Sequence, residues 1–168
     1  MTQSIDVDGL ILVFPTDWQC SRYDDWAFYR KQALKMRDGI KGIDLLAIDP
    51  QRTAWAIEVK DYRRHQRTKP TALPEEVALK VFDTLAMLLP AKLNASAPAE
   101  QRHAKAVCAA RRLRVVLHLA QPRTHSRLWP RAINPADVQQ QLRRLVKPID
   151  AHPLVVDNAS PAVAWHTR

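Results

Sequence analysis

A chain of 168 residues with 46% apolar content is long enough for one domain with a real core, and too apolar to be read as disordered. Lys and Arg number 26 against 17 Asp and Glu, and the resulting net charge of +9 favours an anionic partner, nucleic acid first among them. Cys20 and Cys108 form no metal-ligand spacing, no apolar run approaches a membrane span, and the start MTQSIDVDG is acidic where a signal peptide is positive; a reduced, cytoplasmic protein is expected.

The first element is GLILVF at 9–14, a compact apolar run that ends at Pro15 and reads as a strand. SRYDDWAFYRKQALKM follows. Ser21 with Asp24 has capping-box spacing, and Tyr23, Trp26, Ala27, Ala33 and Leu34 recur on one helical face, which predicts a helix from about Arg22 to Arg37. Gly39 and Gly42 break that pattern. IDLLAID at 43–49, a turn over Asp49-Pro50-Gln51-Arg52, and the run TAWAIEVK then predict a β-hairpin.

Past Lys60 the chain turns strongly basic, DYRRHQRTKPTA, in a loop bracketed by Pro70 and Pro74. The next helix has Pro74 in its first turn and Glu75 and Glu76 at its positive end; Val77, Val81, Leu85, Leu88 and Leu89 keep helical spacing until Pro90. A second helix is predicted from about Ala99 to Arg112, then a strand RVVLHLA at 114–120 and an Arg-rich loop. Asn134-Pro135 caps the helix DVQQQLRRLV, and PLVVD at 153–157 is a last short strand. The tail after Asn158 shows no pattern. With no repeat or linker, residues 1–168 read as a single α/β domain.

The chemistry concentrates in AWAIEVKDY at 54–62. Side chains alternate along a strand, so Glu58 and Lys60 share one face and Ile57 and Val59 the other. Asp44 starts the neighbouring hairpin strand, so its carboxylate can converge with that of Glu58 at one end of the sheet. Two carboxylates, joined by the carbonyl of Val59, suit Mg²⁺, which takes oxygen ligands and seldom an all-protein cage. Lys60 beside them can orient or deprotonate an attacking water, the latter better with a depressed pKa.

Asp44 in GIDLL together with Glu58-Val59-Lys60 in AIEVK resembles the PD-(D/E)xK superfamily, the restriction endonuclease-like nucleases. The likeness covers about residues 21–120 in element order; Ile43 stands where many members have proline. It implies an α/β, restriction endonuclease-like core, a central mixed β-sheet flanked by helices. It also implies phosphodiester hydrolysis with Mg²⁺ or Mn²⁺ held by Asp44 and Glu58, and Lys60 acting on the nucleophilic water. Many members place a further acid on the first helix. Asp24 and Asp25 are the candidates, Asp25 the better because Asp24 already caps; Asp61 and Gln66 rank lower.

Arg63, Arg64, His65, Arg67 and Lys69 follow the motif directly and are read as phosphate contacts, with Arg63, Arg64, Arg67 and Lys69 as the nucleic-acid-binding set. Arg143, Arg144 and Lys147 read as a solvated helix face and His118 as a satisfied core histidine. Trp26 and Trp55 are assigned to the core, Trp18 and Trp129 to loops where they can stack on a base. The expected partner is DNA, with RNA left open. Lacking a recognition module such as a zinc finger, the domain takes its specificity from loops, a homodimer or a partner protein. The alternative is a catalytically silent nuclease-like subunit that binds nucleic acid or a protein.

Overall fold

The computed structural model describes residues 2–122 and 133–168. In chain order the elements are β1 (Thr2–Val7), β2 (Leu10–Pro15), β3 (Gln19–Arg22), α1 (Ala27–Lys31), β4 (Leu45–Ile48) and β5 (Thr53–Asp61), followed by α2 (Leu73–Asn94), α3 (Pro98–Cys108), β6 (Arg112–Ala120), α4 (Pro135–Val146), β7 (Leu154–Val156) and β8 (His166–Thr167). A mixed five-stranded sheet runs in the order β3-β4-β5-β6-β7, antiparallel up to β5 and parallel beyond it. A second sheet, β1-β2-β8, is antiparallel.

Strand alternation sorts the core into two clusters. Leu46, Ile48, Ala54, Ala56, Val115 and Leu117 face the helices, packing on Val77 and Val81 of α2 and Leu142 of α4. Leu45, Ala47, Ile57, Val59 and Val116 face the small sheet and its Leu12 and Phe14. The sheet is therefore flanked by helices on one face and by a three-stranded sheet on the other, three layers around two apolar interfaces.

Several elements depart from the sequence reading. The helix predicted over 22–37 is broken: Ser21 and Arg22 belong to β3, Tyr23–Asp25 and Ala33–Lys35 are single 3₁₀ turns, and only five residues are α-helical. Trp26 is extended and its indole N–H donates to Ser21 Oγ at 2.8 Å. The capping box does not form; the Glu100 carboxylate of α3 instead accepts from the N–H groups of Ala27 and Phe28 at 2.7 and 3.0 Å. A carboxylate 73 positions away thus sets where α1 starts, which no local pattern reveals.

Strand β1 and the tail strand β8 were also unforeseen. Asp8-Gly9, with φ of 52° and 89°, makes the two-residue turn to β2, the Asp-Gly signal of a tight hairpin. The tail returns to pair with β2 and buries Trp165. Helix α2 continues past Pro90 to Asn94. The N–H that proline lacks would have met the Ala86 carbonyl on the solvent face, where water can serve it. The hairpin β4–β5, the strand β6, the helix α4 capped by Asn134 and the strand β7 lie where the sequence placed them, within a few residues. Among the described residues no helix is long and apolar enough to cross a membrane.

Candidate active site

Strand β4 ends its pairing with β5 at Leu45 opposite Ile57, whereas β5 continues to Asp61 against β6 alone. Asp44 fills the gap. Its Oδ2 accepts from the Val59 N–H at 2.7 Å, so the carboxylate extends the ladder one step past the end of β4. Within a strand, one residue's N–H and C=O point to the same side, so the Val59 carbonyl faces that same edge. The segment leading to Asp44 is tethered at each residue. Gly42 N–H donates to the Tyr29 hydroxyl at 2.8 Å, Ile43 N–H to Thr84 Oγ1 at 3.0 Å, and the Asp44 carbonyl accepts from Tyr23 N–H at 2.9 Å. A Cβ on Gly42 would meet the Tyr23 ring at 2.7 Å, so glycine is required there for the close approach.

Glu58 is 1% exposed and points with Lys60 toward α2. Its Oε1 lies 2.7 Å from Lys60 Nζ and 2.6 Å from Lys80 Nζ, and Lys80 Nζ is also 3.7 Å from Asp44 Oδ1. Its Oε2 is buried with no hydrogen-bond partner among the described residues. Glu76, one helical turn before Lys80, closes the far side. It is 3% exposed and takes Lys60 at 3.3 Å, Arg67 at 2.7 Å and Lys69 at 2.8 Å. Three carboxylates and four cations thus interlock between β5, α2, the loop joining them and the residue that leads into β4.

The environment moves the protonation equilibria in opposite directions. Burial, then the charge of Glu58, push the Asp44 carboxyl up to about 7, against the pull of Lys80, the Val59 N–H and Lys60. Burial disfavours the charge on Lys60, but the carboxylates of Glu58, Glu76 and Asp44 outweigh it and hold the ammonium above its ordinary range. The depressed lysine that would favour a base is therefore not what the site builds. Glu76 is opposed by burial too, yet the hydrogen bonds from Lys69 and Arg67 bring it down to about 2.

Asp44, Glu58 and the Val59 carbonyl are the groups here that could hold a small divalent cation. Asp44 and Glu58 converge on one point, marked by the ammonium of Lys80, and Glu58 Oε2 is a buried acceptor still to be satisfied. Among the described residues no group of three or more His, Cys, Asp or Glu side chains could hold a metal ion. Two carboxylates and a carbonyl match the sparse protein ligation that Mg²⁺ accepts.

The other candidates are placed as follows. Asp25 is exposed and ion-paired with Arg30 and, at 3.4 Å, with Arg22; Asp24 pairs with Arg22 at 2.7 Å and caps nothing. Arg63 is held by Asp61 at 2.7 Å, while Arg64 and His65 are exposed. Lys60, Asp61, Arg63 and Arg64 line a cleft of about 410 Å³ together with the Val7-Asp8-Gly9 turn. Arg67 and Lys69 turn inward to Glu76 and do not line this cleft.

Lys80 and Glu76 were not singled out as site residues. The signal was present: Glu76-x-x-x-Lys80 puts both on one helical face, and Lys80 sits among Val77, Val81 and Thr84 on the side that enters the core. His118 is the core histidine expected. Its Nδ1 accepts from Trp165 Nε1 at 3.4 Å, its Nε2 meets Asn158 Oδ1 at 2.9 Å, and burial lowers its pKa. Trp18 is not a surface base-stacker; it packs with Phe14, Trp55 and Trp165 behind the sheet. Trp129 and much of the Arg-rich loop lie outside the described residues. Arg143, Arg144 and Lys147 are exposed, as read.

No model of a known protein family matches the chain, and no solved structure matches it. The chain is similar to part of a cysteine–tRNA ligase from Neisseria meningitidis serogroup A, 28% identical over 152 residues. That match covers 72% of this chain and 22% of the ligase, so the chain spans about a fifth of the length of that protein.

Proposed function

We propose that the chain is a divalent-metal-dependent nuclease of restriction endonuclease-like type, hydrolysing phosphodiester bonds in DNA. The observation that carries this reading is the convergence of Asp44 and the half-satisfied Glu58 beside Lys60, which itself lines a cleft with Arg63 and Arg64. Asp44, Glu58 and the Val59 carbonyl would hold Mg²⁺ or Mn²⁺. When bound, such an ion neutralises phosphate charge and lowers the pKa of water.

The chain's own residues supply the rest. Lys60 keeps its proton at neutral pH, so its part is to orient the attacking water and to donate toward the phosphoryl oxygens as negative charge builds. Arg63 and Arg64 line the approach and engage the backbone phosphates on either side of the scissile bond. Glu76 holds Lys60 from behind, which fixes its ammonium at the Glu58 edge.

One observation favours a second reading. Lys80 already places a cation between the two carboxylates, which suits a silent subunit that binds nucleic acid without cutting. The test is cleavage of supercoiled plasmid, single-stranded DNA and tRNA with Mg²⁺, Mn²⁺ or EDTA, run beside Lys60→Ala and Asp44→Ala. The tRNA arm is prompted by the partial likeness to the ligase. Metal-dependent cutting that both substitutions abolish supports the nuclease. Binding without cutting under every metal supports the silent subunit, and cutting that survives both substitutions overturns the site.

A further inference from the structure

Helix α2 has two faces of different character. Its core face packs Val77, Val81 and Leu88 and delivers Glu76 and Lys80 to the site. From Glu75 to Leu93 its exposed positions are Glu75, Leu79, Phe82, Ala86, Leu89 and Leu93, spaced alternately four and three apart. Leu79, Leu89 and Leu93 are each more than half exposed. A solvent-facing helical row is ordinarily polar or charged, whereas apolar residues alternating by three and four form the seam between paired helices.

We infer that this row is a homodimer interface, α2 of one chain packing antiparallel on α2 of a second copy. The inference does not depend on what the site does. A parallel pair would set Glu75 against Glu75 and would stack Phe82 on Phe82 next to an Ala86–Ala86 gap. The antiparallel pair avoids both problems. In the register where Leu79 faces Leu89 of the second copy, Phe82 faces the small Ala86, and Glu75 faces Leu93 with Lys92 next to it. The helix dipoles then oppose each other favourably.

The seam from Leu79 to Leu93 is about 21 Å long at 1.5 Å per residue. A stable dimer needs about 800 Å² from each partner, more than one helical stripe supplies. The exposed Leu34 and Met36 extend the apolar face, because their segment is fastened beside α2 by Arg37 on Asp83 at 3.0 Å and by Lys41 N–H on the same carboxylate.

The test is sedimentation equilibrium of the full chain across a micromolar dilution series, with circular dichroism to check folding. The wild type is expected to be a dimer. Leu79→Lys and Leu89→Glu, both at exposed positions, are each expected to raise the dissociation constant at least about tenfold without loss of helix content. Combining them places the new lysine opposite the new glutamate of the second copy at both ends and is expected to restore the dimer. A monomeric wild type, or a dimer indifferent to both single substitutions, overturns the interface. A double variant that stays monomeric overturns the antiparallel register.

Discussion

Lys80 sets its ammonium 2.6 Å from Glu58 Oε1 although the two residues are 22 positions apart and on different elements. With Asp44 Oδ1 at 3.7 Å, that nitrogen compensates two buried acids, sharing Glu58 with Lys60. Breaking a buried pair by removing one partner leaves an uncompensated charge, so Lys80→Met should lower stability in EDTA by about 3 kcal/mol. Added Mg²⁺ should raise the melting temperature of this variant more than that of the wild type, because metal and ammonium compete for the same acids. An unchanged melting temperature in EDTA would show that Lys80 does not compensate the pair.

Protonation of Asp44 should govern cation affinity. With its pKa pushed up to about 7, the carboxyl keeps much of its proton at neutral pH, and a cation must displace it. Affinity for Mg²⁺ should therefore rise between pH 6 and pH 8, with nearly one proton released per ion at the lower end. Calorimetry in two buffers of different ionisation enthalpy reads that proton directly. The stability sign is opposite to that of an ordinary ion-paired acid. Between the unfolded value near 4 and about 7 the folded chain binds the extra proton, so this group's contribution to stability falls as pH rises through that window.

Lys60→Ala should reduce metal-dependent cleavage by about 10² to 10⁴-fold, the usual weight of a group that handles the reacting proton or its charge. The same variant should still bind DNA within a few-fold, since Arg63 and Arg64 remain in the cleft. A fluorescence-anisotropy titration beside the cleavage assay separates the two effects. Equal losses of binding and cutting would move Lys60 from the chemistry to the phosphate contacts.

Glu76 engages Arg67 and Lys69 in ion pairs, the first largely buried and the second still exposed, and stays ionised across the physiological range. Glu76→Gln should release both cations toward an incoming nucleic acid. DNA affinity at low salt should increase, and the slope of log K against log salt should steepen by about one to two charges. An unchanged slope would mean that the loop cations never reach phosphate.

Gly42→Ala should impair the site from a distance. The added methyl meets the Tyr23 ring at 2.7 Å, and Tyr23 N–H is the donor that holds the Asp44 carbonyl. The overlap should cost about 1–3 kcal/mol and loosen Asp44, so Mg²⁺ affinity should fall along with the melting temperature. Retained affinity at lower stability would show that Thr84 and Val59 alone position the carboxylate.

What the amino-acid order determined by itself is what depends on near neighbours. Alternation in AWAIEVKDY sets Glu58 and Lys60 on one face of β5, Asn134-Pro135 starts α4, and Val77, Val81, Leu85 and Leu88 of α2 pack on the core, although Leu89 of the same apolar run stays exposed. Tertiary packing decided the rest. The break between β3 and α1 depends on Glu100, Trp18 and Trp165 are buried only because the tail returns to β2, and Lys80 joins the acids only once α2 lies across β5. Glu76 shows the division most sharply. In sequence it is a helix-start acid suited to the dipole, and in the fold it is a buried anchor for three cations from two other segments. Local preferences act over one turn or one strand step, whereas the energy of a buried charge depends on every group that excludes water around it.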